Sequence, residues 1–484
     1  MPRRKRAAQT GPGLFDLPAA QAQIQEVENV RIKDGDIQGA GLGDILGSES
    51  AQLVLGSAST LASEGRWQRL DSFNARSQKQ VLKLISILGH PTPQDRWGRI
   101  TTGKIEIDRL YRKTGHPVYK AILEGRELKT MRDSFVGQWE PGPDGRVHSQ
   151  FASETGTGQH NSKHPNAQNT PKHTRLASAF NRMIEVPPGH KFVVLDWKSF
   201  HVVTLAFESQ DQVLMRVAMT DPHTFATAHF LKVGEPDRLL DLPDNELAAK
   251  LKWIRSCGGG CTHSEIEKHE GKCWGWMRDA KVKHSLLGYN NGMGPHSLFY
   301  AHREAFSGLN EVRKLLDLMD RLFAKAAAWR RQIARVAHKQ RYLTSRWGFT
   351  RQFYCVFEPT YDGRSDPFGD PKHGDDYEAA LTFLIQNDAH GYRNDAMIRL
   401  DEAGQNERYG LVDEIHDDLR YCCREELVDA CLHEVSAEMV KRQPVLTDPV
   451  MAPDGLWCDV DAKVGRNWDK KSEGNPDGLE EIFL

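Results

Sequence analysis

The stretch Leu411 to Cys423, reading LVDEIHDDLRYCC, concentrates residues that can do chemistry. Apolar Leu411, Ile415 and Leu419 flank Asp413, Glu414, His416, Asp417 and Asp418. Carboxylates this close repel one another, and a tight hairpin can display such a pair at its tip, where a divalent cation offsets the repulsion. A solvated acidic turn is the plain alternative. Asp196, which ends the apolar run Phe192-Val-Val-Leu195, tips the balance. Two separate strands, each delivering an aspartate, suit two-metal phosphoryl transfer.

The elements that must position these acids are helical for the most part. Val81, Leu82, Leu84 and Ile85 mark a helical stripe closed by Gly89-His-Pro91, and a second helix is predicted from Pro117 through Leu128 to Phe135. Between Pro141 and Pro171 the chain is polar and turn-rich, a long loop of the sort kept for function. Phe192–Leu195 reads as a buried strand. Helical periodicity runs from Val202 to about Val336, interrupted at 257–273. Short paired strands follow around Gly348, then a helix over Ala379–Leu400, the acidic hairpin, and a helix from Glu425 to Lys441. Residues 1 to about 65 have few aromatics and much Gly, Ala, Ser and Gln, and read as disordered or loosely helical.

At 484 residues, with 39% hydrophobic and 27% charged, the chain has ample core for a soluble globular protein of two to four compact units. No apolar run is long enough to span a membrane. The basic start Met1–Arg6 lacks the apolar stretch of a secretory signal. Eight cysteines without such a signal point to a reducing compartment. A net charge of −2 does not advertise nucleic-acid binding, yet Lys325–Arg351 holds eight Lys/Arg and no acid, interleaved with Trp329, Tyr342 and Trp347. This is either a phosphate-tracking surface or a solvated helix face.

Cys257-Gly-Gly-Gly-Cys261-Thr-His263, His269 and Cys273 could wrap a structural Zn²⁺, which takes four thiolate or imidazole ligands. Free thiols in an insertion are the other reading.

The order of these pieces resembles the family A DNA polymerases, over roughly residues 70 to 460. Phe73-Asn-Ala-Arg-Ser-Gln-Lys-Gln-Val81 is similar to the thumb segment FNxxSxxQL, and Pro117–Leu128 to the helix running from thumb to palm. Thr157-Gly158-Gln159 with His164-Pro-Asn-Ala-Gln-Asn-Thr-Pro171 resembles the TGR…DPNLQNIP loop. The resemblance implies DNA contacts for Gln159, which stands where the family has arginine, and for Asn166, Gln168, Asn169 and Gln386. Arg346 and Arg351 join them from the basic stretch. Val194-Leu-Asp196-Trp-Lys-Ser-Phe-His201 resembles motif A, and Ile415-His416-Asp417-Asp418 resembles motif C. Asp196 and Asp417 would then hold two Mg²⁺ ions, with the Trp197 carbonyl as an extra ligand and Asp418 as the auxiliary acid. Asp221-Pro-His223-Thr224 matches a downstream D-x-H-T.

The fingers pattern R-x3-K-x3-F-x3-Y-G is met in part by Lys283, Leu287, Asn291 and Gly292, all on one helical face. Lys283 would neutralise the triphosphate of an incoming dNTP. Arg278 lies five residues before Lys283 rather than four, roughly 140° off that face in an ideal helix. A register using Lys281 and Tyr289 competes. His201 stands where the family has a glutamate that gates against a ribose 2′-OH, and His416 lies beside the same nucleotide site.

The resemblance implies an α+β right-hand fold with an antiparallel-sheet palm, helical thumb and helical fingers. The expected division is 1–65 flexible, 66–145 thumb, 146–205 palm, 206–385 fingers with the insertion at 257–273, and 386–484 palm. The implied activity is primer-dependent, template-directed DNA synthesis in replication or repair, without an exonuclease in this chain. RNA synthesis by the same chemistry and a DNA-binding homologue without activity are the alternatives. Expected partners are primer–template DNA and dNTPs. Gly13-Leu-Phe-Asp-Leu17 adds a sliding clamp or other replisome protein, an incidental apolar spot in a tail being the other reading. The expected setting is intracellular, the cytoplasm or nucleoid of a bacterium or a phage-infected host, with an organelle as a second candidate.

Overall fold

A computed structural model describes residues 31–33, 36–38, 73–95, 98–153, 155–171, 176–259, 273–358 and 373–483. The chain divides into two compact units, Met1–Gly137 and Gln138–Leu484. Most of the N-terminal stretch, with the clamp-peptide candidate Gly13–Leu17, lies outside the described residues. Within it, the short strands β1 (Arg31–Lys33) and β2 (Asp36–Gln38) pair antiparallel.

In the first unit three helices share one core. Helix α1 (Gln78–Ile87) is capped by Ser77, whose side chain accepts from the Gln80 amide. Helix α2 (Lys104–Thr114), which the hydrophobic pattern did not reveal, ends at Gly115 in the left-handed conformation. Helix α3 (Pro117–Thr130) starts on a proline in its first turn, which needs no N–H there, and runs on as a π-turn through Val136. Val81, Ile85, Ile107, Leu110, Tyr119 and Ile122 form their core. Arg126 ties α3 to the loops, donating from Nε to the Ala75 carbonyl at 2.6 Å.

The second unit is built on an antiparallel sheet of five strands. Two small hairpin strands come first, β3 (Gln150–Ala152) and β4 (Asn161–Lys163). Strand β5 (His190–Trp197) then runs through the middle of the large sheet, whose order is β11-β10-β5-β9-β8. Strands β6 (Tyr342–Thr344) and β7 (Thr350–Gln352) form the hairpin expected around Gly348. Strands β8 (Leu411–Ile415) and β9 (Asp418–Arg424) form the acidic hairpin, and β10 (Val460–Gly465) and β11 (Glu480–Ile482) complete the sheet.

The apolar run Phe192–Leu195 is buried because β5 has a neighbour on each side and helix α10 (Val428–Met439) against one face. Around the sheet lie α4 (Phe200–Ser209), α5 (Pro222–Leu231), α6 (Lys283–Asn290), α7 (Leu309–Leu322), α8 (Ala324–Gln340) and the long α9 (Tyr377–Glu402). One large core links these helices to the sheet. No helix among the described residues is long and apolar enough to cross a membrane.

Candidate active site

The register of the sheet aligns acids from three strands. Asp196 on β5 is the direct partner of Asp418 on β9 and of Asp461 on β10. Direct partners put their Cβ atoms about 5 Å apart on one face of the sheet. One step along the same face, Val194 sits between Arg420 and Lys463, so a basic row backs the acidic one. Asp417 enters from the hairpin tip, where its carbonyl accepts from the Trp197 amide at 3.3 Å. The tip is tight: His416 adopts φ 58°, a left-handed conformation that favours glycine and that a side chain occupies at a cost.

These acids stand in different electrostatic states. Asp418 accepts from Arg420 through both oxygens, Nε to Oδ1 at 3.0 Å and Nη2 to Oδ2 at 2.9 Å, and from the Ile415 amide at 3.1 Å. Arg420 also lies over the Trp468 ring, 4.5 Å from its centroid. Asp196 has no such bidentate partner: burial, then Asp418 and Asp417, push its carboxyl up to about 7 against the smaller pull of Lys463. Asp417 Oδ1 is buried without a hydrogen-bond partner, and His201 Nε2, likewise unpartnered, lies 3.8 Å away. Asp461 pairs with Lys198 at 3.2 Å, and Lys198 with Asp459 at 2.7 Å.

An orphaned carboxylate oxygen beside a second carboxylate held near neutrality is a donor set that a divalent cation would satisfy. Among the described residues no three His, Cys, Asp or Glu side chains close into a metal cage of their own. Mg²⁺ needs none, since it binds through one or two carboxylates together with substrate phosphates and water.

Behind the tip lies a polar network that the motifs did not reveal. Glu414, buried, meets His160 Nδ1 at 2.6 Å and Arg393 Nε at 3.4 Å. Arg393, fully buried, donates to the His416 carbonyl at 2.8 Å and so fixes the strained tip. The loop 157–171 closes over the hairpin. Gln159 Nε2 lies 2.8 Å from His416 Nδ1, Gln168 donates to the Glu414 carbonyl at 3.1 Å, and Asn387 of α9 donates to the Thr157 carbonyl at 2.9 Å. Gly158 is needed here, because its φ is 76° and a Cβ would come within 2.9 Å of Asn387 Nδ2. Asn166 Oδ1 accepts from the Asn169 amide and from Ser162 Oγ, both at 3.1 Å; Asn169 itself is exposed. Gln168 is buried in this scaffold, and Gln386 is half-buried on α9. His201 meets the buried His390 edge-to-face at 5.8 Å.

The fingers segment resolves its two registers by burial. Lys283, Leu287 and Asn291 are all exposed along one side of α6 and its C-terminal end. Lys281 and Tyr289 are buried; Lys281 pairs with Glu311 at 2.5 Å, and the Tyr289 hydroxyl donates to Asp320 at 2.7 Å.

Residues 278–282 form a π-turn rather than ideal α-helix, and the Lys283 amide bonds the Arg278 carbonyl. An i→i+5 turn takes one more residue than an α-turn, so residues five apart stand over each other. Arg278 is therefore not swung 140° away from Lys283. Its guanidinium nevertheless turns inward, donating to both Asp221 oxygens at 3.1 Å and to Thr224 Oγ1 at 2.9 Å. Asp221 also caps α5, accepting from the Thr224 amide at 2.9 Å.

Arg346 pairs with Glu208 at 2.7 Å, and Arg351 reaches the Gly156 carbonyl at 3.4 Å. Cys257 and Cys273 bring their sulfurs to 2.9 Å, while Cys261, His263 and His269 lie outside the described residues.

The family model for DNA polymerase family A matches residues 52–237, a span that holds Asp196 but ends before α6 and the acidic hairpin. The thermostable DNA polymerase I of Thermus aquaticus is 31% identical over 181 residues, 35% of this chain and 21% of that protein. DNA polymerase I of Treponema pallidum is 29% identical over 171 residues, 34% of this chain and 17% of that protein. The chain thus spans about a fifth of the curated relatives it matches. Among solved structures, the POL domain of Pol1 from M. smegmatis, in complex with DNA primer-template and dNTP, superposes with a TM-score of 0.60 at 21% identity. That match covers 93% of this chain and 69% of the other, and it shows the fold: α+β, with an antiparallel sheet and surrounding helices.

Proposed function

We propose that this chain is a family A DNA polymerase and extends a DNA primer along a template by two-metal nucleotidyl transfer, a reading supported by its similarity to that family over residues 52–237. One observation carries the reading: Asp196 and Asp417 come together at the end of β5, Asp417 Oδ1 buried without a hydrogen-bond partner and the Asp196 carboxyl pushed up to about 7 by burial and its acidic neighbours, against the weaker pull of Lys463. A binding module gains nothing from such a pair beside DNA phosphates, because like charges repel.

Asp196 and Asp417 would hold the metal ions, with the Trp197 carbonyl as a further donor. Two Mg²⁺ ions there would lower the pKa of the primer 3′-OH and steady the triphosphate. Asp418, neutralised by Arg420, braces the pair rather than competing with it. Lys283, on the open side of α6, meets the triphosphate of the incoming dNTP and neutralises charge developing on the pyrophosphate. Leu287 and Asn291 continue that face towards the base. Arg278 contributes by holding the fingers segment on Asp221 until a stronger anion competes for it. His201 fills the space beside Asp417 where the sugar would lie, and its bulk favours a deoxyribose.

Gln159, Asn166, Asn169 and Gln386 would contact primer–template, Gln159 in exchange for its hydrogen bond with His416. Gln168 and Arg346 act as braces of the loop and of α4, while Arg351 holds the loop at Gly156. Zinc at Cys257 and Cys273, with ligands from Cys261, His263 and His269, would brace the entry to the fingers segment.

The experiment is primer extension with Mg²⁺ by wild type and Asp417→Ala, alongside duplex affinity. The variant should lose extension and keep binding; equal extension by both overturns the metal assignment. Running the wild type with rNTPs and without a primer tests the RNA-synthesis alternative, for which extension should be weak or absent.

A further inference from the structure

The fold divides the basic, aromatic run Lys325–Arg351 into an inner and an outer set. Trp329 packs on the core, and Trp347 lies so close over Gly391 that a Cβ there would overlap its indole. Arg330 rests on the Tyr289 ring at 4.0 Å, and Arg346 is paired with Glu208.

The outer set is continuous. Arg331, Arg335 and Lys339 are exposed at successive turns of one face of α8. Arg341 follows at the end of the helix, and Tyr342 opens β6. Across the hairpin Tyr342 stands directly opposite Gln352, and the Tyr354 hydroxyl donates to Gln352 Oε1 at 2.8 Å. Two rings therefore flank one amide on the outer face, with Tyr342 48% and Tyr354 76% exposed.

The backbone beneath them is held firmly. Arg341 Nη1 donates to the Tyr354 carbonyl at 2.8 Å, and Asp376 Oδ2 accepts from the Tyr354 amide at 2.6 Å. Asp376 is thus engaged by backbone amides, and Asp320 lies 3.8 Å from Arg331 at the start of the row, which leaves Arg335 and Lys339 as its central cations. Rings this exposed on a fixed hairpin, next to a row of cations, lack an occupant among the described residues.

We infer that this surface binds single-stranded DNA, the cations of α8 following the phosphates and Tyr342 and Tyr354 stacking on bases. Cations alone would serve a duplex equally well. The exposed ring faces decide for an unpaired strand, because bases stacked in a duplex offer no face to them. The inference rests on the polymerase reading only for identifying the strand as unpaired template; binding itself is tested without nucleotides.

The test uses the full chain and fluorescence anisotropy with labelled oligothymidylate and a blunt-ended hairpin duplex. Tyr342→Ala/Tyr354→Ala should weaken oligothymidylate binding about tenfold or more and leave duplex binding unchanged. Arg335→Ala/Lys339→Ala should reduce the slope of log affinity against log salt by about 1.4 on the single strand. Wild-type single-strand affinity in the tyrosine variant, or an equal loss on both nucleic acids, overturns the inference, circular dichroism having shown the fold intact. A wild type that binds oligothymidylate in this way yet extends no primer overturns the polymerase reading alone.

Discussion

Asp196 and Asp418 face each other across β5 and β9, and Arg420, next along the same face of β9, grips Asp418 through both of its oxygens. The guanidinium stays beside the acids because it also lies over the Trp468 ring. One member of the acidic cluster is thereby neutralised from within, and the remaining charge falls on Asp196 and Asp417.

That asymmetry predicts a graded set of losses. Asp196→Asn and Asp417→Asn should each lower single-turnover primer extension by about 10²–10³-fold, the cost of removing a group that stabilises transition-state charge. Asp418→Asn, whose charge is already offset, should cost about tenfold or less in the same measurement. Equal losses for all three would mean that Arg420 does not shield Asp418.

The two lysines of the fingers segment should fail in different assays. Lys283 is exposed and Lys281 is buried against Glu311. Lys283→Ala should slow dNTP incorporation by about 10²-fold with little change in urea stability. Lys281→Ala leaves the partly buried Glu311 without its cation, with the Ser307 donors still beside it, so about 1–3 kcal/mol of stability should go. If Lys281→Ala is stable and unable to use dNTPs, the other register is correct.

Much of the frame was legible in the sequence, and the reasons are local. The run Phe192–Asp196 announced a central strand because both neighbours bury it. The LVDEIHDDLRYCC stretch announced a hairpin because strand-forming residues bound a run of adjacent acids. Helix α2 escaped notice because Lys104–Thr114 carries mostly charged side chains, with few apolar residues, chiefly Ile107 and Leu110, turned inward. Strands β10 and β11 are short, and their pairing with β5 and with each other is long-range, which periodicity cannot show. The π-turn at 278–282 was hidden for a related reason: composition does not distinguish i→i+5 from i→i+4 bonding. Helical geometry drawn from an ideal α-helix therefore displaced Arg278. Burial divided Lys325–Arg351, whose spacing alone left a solvated face and a binding surface on equal terms.

Arg278 supplies a third test. Its guanidinium holds Asp221, which also caps α5, so the pair ties the fingers segment to the next helix. Arg278→Ala leaves the partly buried Asp221 carboxylate with Arg255, 4.0 Å away, as its remaining cation and should lower stability by about 2–3 kcal/mol in urea denaturation. Arg278→Ala/Asp221→Asn removes the stranded charge and keeps a capping oxygen, so it should recover much of that loss. A double variant no more stable than the single one would show that the helix cap, not the ion pair, holds this corner.

The pH dependence of stability should carry the mark of Asp388. Burial, with Glu208 beside it, pushes this carboxyl up to about 8 against the opposing pull of Arg346. In the unfolded chain it titrates near its ordinary value of about 3.9. Between about pH 4 and 8 the folded chain keeps a proton that the unfolded chain has released. Stability therefore falls as pH rises through that window, by at most about 1.4 kcal/mol per pH unit, and levels off above it. His390 works the other way: burial, then Arg393, pull it down to about 2, so the unfolded chain alone gains a proton as pH falls below about 6.5. Comparing wild type with Asp388→Asn cancels the histidine, which both proteins keep. The variant should gain on wild type in urea denaturation as pH is raised from 5.5 to 8, by about a few kcal/mol. Parallel curves over that range would place the Asp388 carboxyl in its ordinary ionised state, with Arg346 outweighing both burial and Glu208.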